Sequence, residues 1–367
     1  MRLVVSGYYG FRNCGDEAVL AGAVRSFGAR GAAAPSDFTV LSSEPAWTSR
    51  VHAVSSVHRM DLRAVRGAIS QCDLVLSGGG SLLQDVTSLR SLAYYVWIMR
   101  MARTARKPYM LYAQGIGPLR RVAARGLVRT AARRAAAITV RDEASAGLLE
   151  ALGIGRARVE VTADPAFSLD APIGLGARSR GQARVGGNRV IGLCPRPWPG
   201  VDVAGRFADA ARALRDRGFV VVWLPMQGTQ DKRIAEEAAS ASGAGTVCDP
   251  QGEPDKALAA CAELDLVIAM RLHALAFGAI CSTPLVAVAY DPKVDALMAG
   301  LGCSDLTVAI ADASGDALCR LAERALARSE EMRRRTSEEV DRLREAALRN
   351  VDAAIRAIGG HAPCAAA

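Results

Sequence analysis

Five cationic side chains in this sequence fall just beyond short apolar runs that read as β-strands. Arg141 follows a strand in TVRDE, and Arg196 follows one in PRPW. Arg271 and His273 open the segment after a third in MRLHALAFG, and Lys293 follows a fourth in YDPKV, next to Asp291. Guanidinium forks and ammonium groups bind carboxylate and phosphate, so the set suits a small, highly charged anion. Asp16, in SGYYGFRNCGDEAVL, falls at the start of the helix after the first strand. It fits two readings: a first-turn acid favoured by the helix dipole, or a base facing the cations. Two more strands end in glycines, Gly78, Gly79 and Gly80 in SGGGSLLQD and Gly115 and Gly117 in YAQGIGP. Such turns let a ligand approach closely and can cradle an anion on their N–H groups, or they are plain tight turns. The spacing of Gly7, Gly10 and Gly15 is not that of a dinucleotide fingerprint. His52 and His58 lie in a loop-like stretch and His361 in the tail, and none is given a role.

Strand ends must be gathered at one edge for this chemistry to assemble. Short β-branched runs alternate with longer Ala/Leu/Arg runs at helical spacing, the βαβα pattern of parallel sheets covered on both faces. The pattern predicts strands near Leu3–Ser6, Phe38–Leu41, Leu74–Leu76, Met110–Ala113, Ile138–Val140 and Val159–Val161, then Val190–Cys194, Val220–Leu224, Leu266–Ala269 and Leu285–Ala289. The expected class is α/β, with two Rossmann-like domains and a central cleft. The first spans 1–170 and carries Asp16; the second spans 189–315. Residues 171–188, APIGLGARSRGQARVGGN, have no apolar period and read as a linker. Residues 316–367 read as solvent-facing helices and a frayed tail. Ligands of open α/β sheets sit beyond the carboxyl ends of the strands, where the candidate residues fall.

The chain has 367 residues, roughly two domains at about 150 residues each. It is 50% apolar and 23% charged, which excludes an intrinsically disordered chain. The 46 Lys and Arg against 37 Asp and Glu leave a net charge of +9, pointing to anionic partners. The nine cysteines are scattered singly with no C-x-x-C, and four histidines give no zinc spacing, so no metal site and a reducing compartment are expected. The opening MRLVVSGYYG is too short an apolar run for a signal-peptide core, and no run of about 18 uncharged apolar residues occurs. A cytoplasmic protein, peripheral at most at the inner face of the membrane, is the expectation.

Seven motifs in order, SGYYGFRNCGDEAVL, SGGGSLLQDVTSLRSLAYY, YAQGIGPL, TVRDEAS, VTADPAF, MRLHALAFG and AVAYDPKV, resemble the polysaccharide pyruvyl transferase family. The match looks closest to the bacterial cell-surface polysaccharide pyruvyltransferases of the CsaB type and runs from Ser6 to about Lys293. The resemblance implies a fold like the B-type glycosyltransferases, phosphoenolpyruvate as donor co-substrate with no cofactor, and a sugar acceptor. In the CsaB branch that acceptor is an N-acetylmannosamine residue of a lipid-linked secondary cell-wall polysaccharide precursor. The product, a 4,6-linked pyruvate ketal, anchors S-layer homology domains. The family's functional aspartate, arginine, histidine and lysine fall on Asp16, Arg141, His273 and Lys293. Arg12 and Cys14 depart from the small or apolar residues expected inside the first motif.

On that reading Asp16 takes protons from the sugar hydroxyls and His273 is the acid serving the donor, since an imidazole exchanges protons near neutral pH. Arg141 and Lys293 hold the carboxylate and phosphate, with Arg271 and Arg196 next in rank. The basic stretch 119–137, LRRVAARGLVRTAARRAAA, could meet an anionic membrane surface or a lipid diphosphate, or be a solvated helix face. Two other classes compete. One is a nucleotide-sugar-dependent glycosyltransferase of the same fold, which needs an acid for the donor ribose, with Asp265 and Asp291 available. The other is a non-catalytic nucleic-acid-binding protein, which 5% aromatic content and the lack of any nucleic-acid motif disfavour.

Overall fold

The computed structural model describes residues 1–86, 88–172 and 188–359. The expected linker falls almost wholly, and the expected tail wholly, outside the described residues. The chain divides into two compact units.

The first unit comprises Met1–Phe11, Asp16–Leu169 and the chain from Leu343 onward. Its strands are β1 (Leu3–Tyr9), β2 (Phe38–Ser42), β3 (Ser55–His58), β4 (Leu74–Gly78), β5 (Tyr109–Gln114), β6 (Ala137–Val140) and β7 (Val159–Val161). They form one parallel sheet in the order β3-β2-β1-β4-β5-β6-β7. Helices connect successive strands: α1 (Cys14–Ala29), α2 (Pro45–His52), α3 (Leu62–Gln71), α4 (Leu89–Thr104), α5 (Val122–Arg134) and α6 (Glu143–Ala151). Strands β4 and β5 are buried at every position, as a sheet covered on both faces requires.

The second unit comprises Arg12–Gly15 and Asp170–Arg342. Its strands are β8 (Val190–Cys194), β9 (Val220–Trp223), β10 (Thr246–Val247), β11 (Leu266–Ala269), β12 (Leu285–Ala289) and β13 (Thr307–Ala309). They too are parallel, in the order β10-β9-β8-β11-β12-β13. The helices are α7 (Val203–Asp216), α8 (Gly228–Ser242), α9 (Pro254–Ala262), α10 (Leu272–Ile280), α11 (Pro292–Gly300) and α12 (Gly315–Ala327). In each sheet the strand order reverses beside the first strand, between β1 and β4 and between β8 and β11. Such switch points are where open α/β sheets bind ligands.

The structure corrects three expectations. Residues 316–359 do not stand apart in solvent. Helix α12 buries Leu318, Cys319, Ala322 and Ala325, and the Cys319 thiol reaches Ala210 O on α7 at 3.7 Å. The last helix, α13 (Ser329–Gly359), clusters with the second unit up to Arg342 and with the first from Leu343. Its Val351, Ala353 and Ala354 belong to the core that contains Leu3, Phe27 and Phe38. Asn350, fully buried, accepts from the Thr162 hydroxyl at 2.7 Å and donates to Ala163 O at 3.1 Å. An apolar stripe in an Arg-rich helix is enough to recruit it to a core. His52 and His58 are not in a loop: His52 closes α2 and His58 ends β3. Strands β3, β10 and β13 were not expected, being short edge strands with little apolar signal.

Candidate active site

In the first unit the candidates converge at the carboxyl ends of β1, β4, β5 and β6. The chain leaves β1 through Gly10, whose φ of +77° suits glycine. The Gly10 N–H donates to Glu17 Oε1 at 2.8 Å, and the other oxygen of this fully buried carboxylate lies 2.9 Å from His52 Nε2. Asp16 follows in the first turn of α1. Its carboxylate lies over the glycine turn after β4: a Cβ on Gly80 would stand 2.6 Å from Asp16 Oδ1. Gly79 and Gly80 have φ of +73° and +69°, and a Cβ on Gly79 would run into Val19. The N–H groups of Gly79, Gly115 and Gly117 donate to Tyr112 O, Gly80 O and Leu83 O at 2.8–3.0 Å. Those three amides are therefore committed to the fold, which corrects the idea of a free amide cradle there. What the glycines provide is close approach.

Arg141, just past β6, is buried behind Gly115, where a Cβ would stand 2.9 Å from its Nε. Its Nη1 pairs with Asp164 Oδ2 at 2.7 Å and its Nη2 donates to Ser81 Oγ at 3.1 Å. Asp142, which caps α6 by accepting from Ser145 N, lies 3.7 Å from Nε. Burial alone would lower the guanidinium pKa, but the charges of Asp164 and Asp142 and the Asp164 hydrogen bond reverse this and raise it. Arg141 is thus a fixed, permanent cation. Around the same switch point Ser6 Oγ, Ser77 Oγ and Gln114 Oε1 are buried without a hydrogen-bond partner, although Gln114 Nε2 donates to Ser77 O at 2.9 Å. Buried orphan polar atoms are rare and mark places where water or a ligand completes the site.

In the second unit Arg196, Arg271, His273 and Lys293 follow β8, β11 and β12, which are adjacent in the sheet. The topology brings all four to one edge. The Arg196 guanidinium lies over the Tyr290 ring at 4.4 Å and near Trp198 at 5.6 Å. Its Nε is buried with no hydrogen-bond partner. Arg271 precedes the first turn of α10 and makes a two-pronged contact with the fully buried Asp231, Nε to Oδ2 at 2.8 Å and Nη2 to Oδ1 at 2.5 Å. Burial opposes the Arg271 charge, and the Asp231 hydrogen bond and charge outweigh it, raising its pKa. Most of the Arg271 fork is therefore spent on Asp231. His273 stands on the first turn of α10 against Gly15, where a Cβ would come within 2.3 Å of Nδ1. Asp291 caps α11, accepting from Lys293 N at 3.0 Å. Asp265 accepts from Val190 N at 2.8 Å, at the amino ends of β8 and β11 and away from the cations. A cavity of about 640 Å³ lies beside Trp198, Asp202, Gln230, Arg233 and Glu237, and none of the candidate residues lines it.

The sequence model of the polysaccharide pyruvyl transferase family matches residues 13–292. The chain belongs to that family. Its fold is the α/β fold shared by B-type glycosyltransferases and related epimerases. It is similar to HepE of Anabaena, solved with UDP and glucose, at a TM-score of 0.66 and 12% identity over 98% of this chain and 100% of that one. The UDP-GlcNAc 2-epimerase of Neisseria meningitidis, bound to UDP-GlcNAc, matches at 0.64 and 13% over 97% and 100%. S. aureus MnaA, solved with UDP, matches at 0.62 and 11% over 99% and 98%. No curated protein matches in sequence. At such identities the likeness speaks for fold alone.

The residues that hold the candidates in place leave no mark in the sequence. Asp164 sits in VTADPAF and Asp231 in GTQDKR, acids that nothing in their spacing ties to Arg141 or Arg271. Glu17 adjoins Asp16, and nothing in its spacing ties it to His52. Among the described residues no cluster of three or more His, Cys, Asp or Glu could hold a metal, and no helix is long and apolar enough to cross a membrane.

Proposed function

We propose that the protein transfers the pyruvyl group of phosphoenolpyruvate to two hydroxyls of a sugar, forming a ketal and releasing phosphate. The family match over residues 13–292 carries this reading. The sugar is an N-acetylhexosamine, N-acetylmannosamine in a lipid-linked cell-wall precursor being the acceptor that the CsaB resemblance favours. Two C–O bonds form at C2 of the donor and the C2–O bond to phosphate breaks. Of the two hydroxyl protons released, one is balanced by the proton gained at the methylene carbon and the other leaves with phosphate.

Asp16 takes protons from the acceptor. His273 supplies the proton to the donor, at the methylene carbon or the departing phosphate. Arg141 and Lys293 hold the donor's carboxylate and phosphate, with Arg196 adding charge on an aromatic floor. Arg271, spent on Asp231, orients the start of α10 and so His273.

The acceptor's lipid places the enzyme at the inner face of the membrane. On α5 and the turn before it, Arg120, Arg121, Arg125, Arg129, Arg133 and Arg134 are exposed. Asp85 accepts from the amides of Arg120 and Arg121 at 2.9 and 2.7 Å, and the neighbouring Val86 and Val122 are 53% and 83% exposed. Apolar tips among arginines suit an anionic lipid surface.

The glycosyltransferase alternative loses support because Asp265 and Asp291, its candidate ribose acids, are a strand tie and a helix cap. The test is phosphate release from phosphoenolpyruvate with N-acetylhexosamine acceptors, run beside UDP release from UDP-sugars. Acceptor-dependent phosphate release supports the proposal, and UDP release alone overturns it.

A further inference from the structure

Beside Asp16, within the first unit, lies a cluster that the donor chemistry does not use. Tyr8 and Phe11, at the end of β1 and just after it, stack with ring centroids 4.1 Å apart and planes 8° apart. Both are partly exposed. The Arg59 guanidinium lies 4.1 Å from the Tyr94 ring centroid, 5.3 Å from that of Phe11 and 5.9 Å from that of Tyr95. Its backbone is held on both sides: Arg59 N donates to Ser42 O at 2.8 Å, and the Tyr94 hydroxyl donates to Arg59 O at 3.1 Å. No carboxylate pairs with Arg59 among the described residues.

An unpaired arginine on aromatic faces is a preorganised anion site, because the rings fix its fork without neutralising it. Aromatic faces also take the C–H side of a sugar ring, since their negative faces meet its weakly positive hydrogens. The Tyr8 phenol feels both neighbours: burial raises its pKa, the Asp16 charge raises it further, and Arg59 lowers it. Base, aromatic pair and cation therefore share one neighbourhood.

We infer that Tyr8, Phe11 and Arg59 form the acceptor subsite, which takes a hexose carrying an anionic phosphate group. The ring rests on the Tyr8–Phe11 pair and Arg59 binds the phosphate, which turns the hydroxyl edge of the sugar to Asp16. The inference rests on the pyruvyl transfer reading for the role of Asp16, but the subsite can be measured without turnover.

The probes are N-acetylmannosamine 1-phosphate and free N-acetylmannosamine, titrated calorimetrically against the whole protein with no phosphoenolpyruvate. The wild type is expected to bind the phosphate form at least about tenfold more tightly than the free sugar. Arg59→Ala is expected to erase that difference, Arg59→Lys to restore part of it, and Phe11→Leu to weaken both probes. In turnover, Arg59→Ala should raise KM for the acceptor and leave KM for phosphoenolpyruvate unchanged. Equal affinity of the wild type for both probes, or an Arg59→Ala variant that folds and keeps the preference, overturns the subsite. Preference for the phosphate form in a protein that transfers no pyruvyl group leaves the subsite standing and removes the catalytic reading. Pyruvyl transfer with an unchanged acceptor KM in Arg59→Ala does the reverse.

Discussion

Arg141 and Asp164 form an ion pair 2.7 Å long in which the side chains are only 8% and 9% exposed. The pair joins the end of β6 to the turn after β7. It leaves a permanent cation at the edge of the first unit that neither solvent nor rotamer freedom can move far. Removing one partner from such a pair strands a buried charge, which costs about 3–5 kcal/mol. Asp164→Ala is therefore expected to lower stability by that amount in urea unfolding. Arg141→Lys keeps the charge and loses the fork, so it should fold, with turnover reduced about a hundredfold. Wild-type turnover in Arg141→Lys would remove this residue from the site.

Two glycines make room for the two side chains proposed to move protons, Asp16 and His273. Gly80→Ala puts a Cβ against Asp16 at a φ of +69°, and a non-glycine residue there costs about 1–3 kcal/mol. Gly15→Ala puts a Cβ against the His273 ring in a helical residue with no positive φ. Its signature differs: thermal stability close to wild type, with turnover at least about tenfold down because the imidazole is displaced. Unchanged turnover in Gly15→Ala would show that the His273 position does not matter.

Buried phenols set an alkaline limit. Burial pushes the Tyr109 hydroxyl up to about 12, and raises Tyr9, Tyr95 and Tyr112 as well. Burial also pushes the Cys72 thiol up to about 11. In the unfolded chain these groups release protons near their ordinary values, so above about pH 9–10 the native state binds more protons than the unfolded one. Stability then falls as pH rises. The urea midpoint should hold up to about pH 9 and drop steeply by about pH 11. A flat profile across that window contradicts the burial of these groups.

Charge on α5 predicts salt-sensitive membrane binding. Vesicles rich in phosphatidylglycerol should retain the protein at low salt and release it near 0.5 M, roughly, as screening shortens. Val122→Asp with Arg121→Glu should abolish retention without changing turnover of a water-soluble acceptor. Equal retention on neutral vesicles would rule the surface out.

The sheets were largely legible in the sequence, and the reason is burial. Runs such as LVLSG and LVAVA are apolar because both faces are covered, and their ends are marked by glycine or by charge. Asp16, Arg141, Arg196, Arg271, His273 and Lys293 could be picked out because each follows such a run. Their partners could not. The acid that fixes Arg141 lies 23 residues away and the one that fixes Arg271 lies 40 away, and no local pattern encodes either meeting. The fate of the last helix was hidden similarly: arginines dominate its composition, while a few alanines and one asparagine decide its packing. Arg59 carries no signal in sequence at all, since its aromatic neighbours come from β1, the turn after it and α4.

The central claim is tested most directly by the mass of the product. Incubated with phosphoenolpyruvate and a lipid-linked or phosphorylated N-acetylhexosamine, the enzyme is predicted to yield an acceptor heavier by one pyruvate less one water. Phosphate should be released in equal amount, and both signals should fall at least about a hundredfold in Asp16→Ala and in His273→Ala. Unchanged acceptor mass across a panel of N-acetylhexosamines, or product formation at the wild-type rate in either variant, would contradict it.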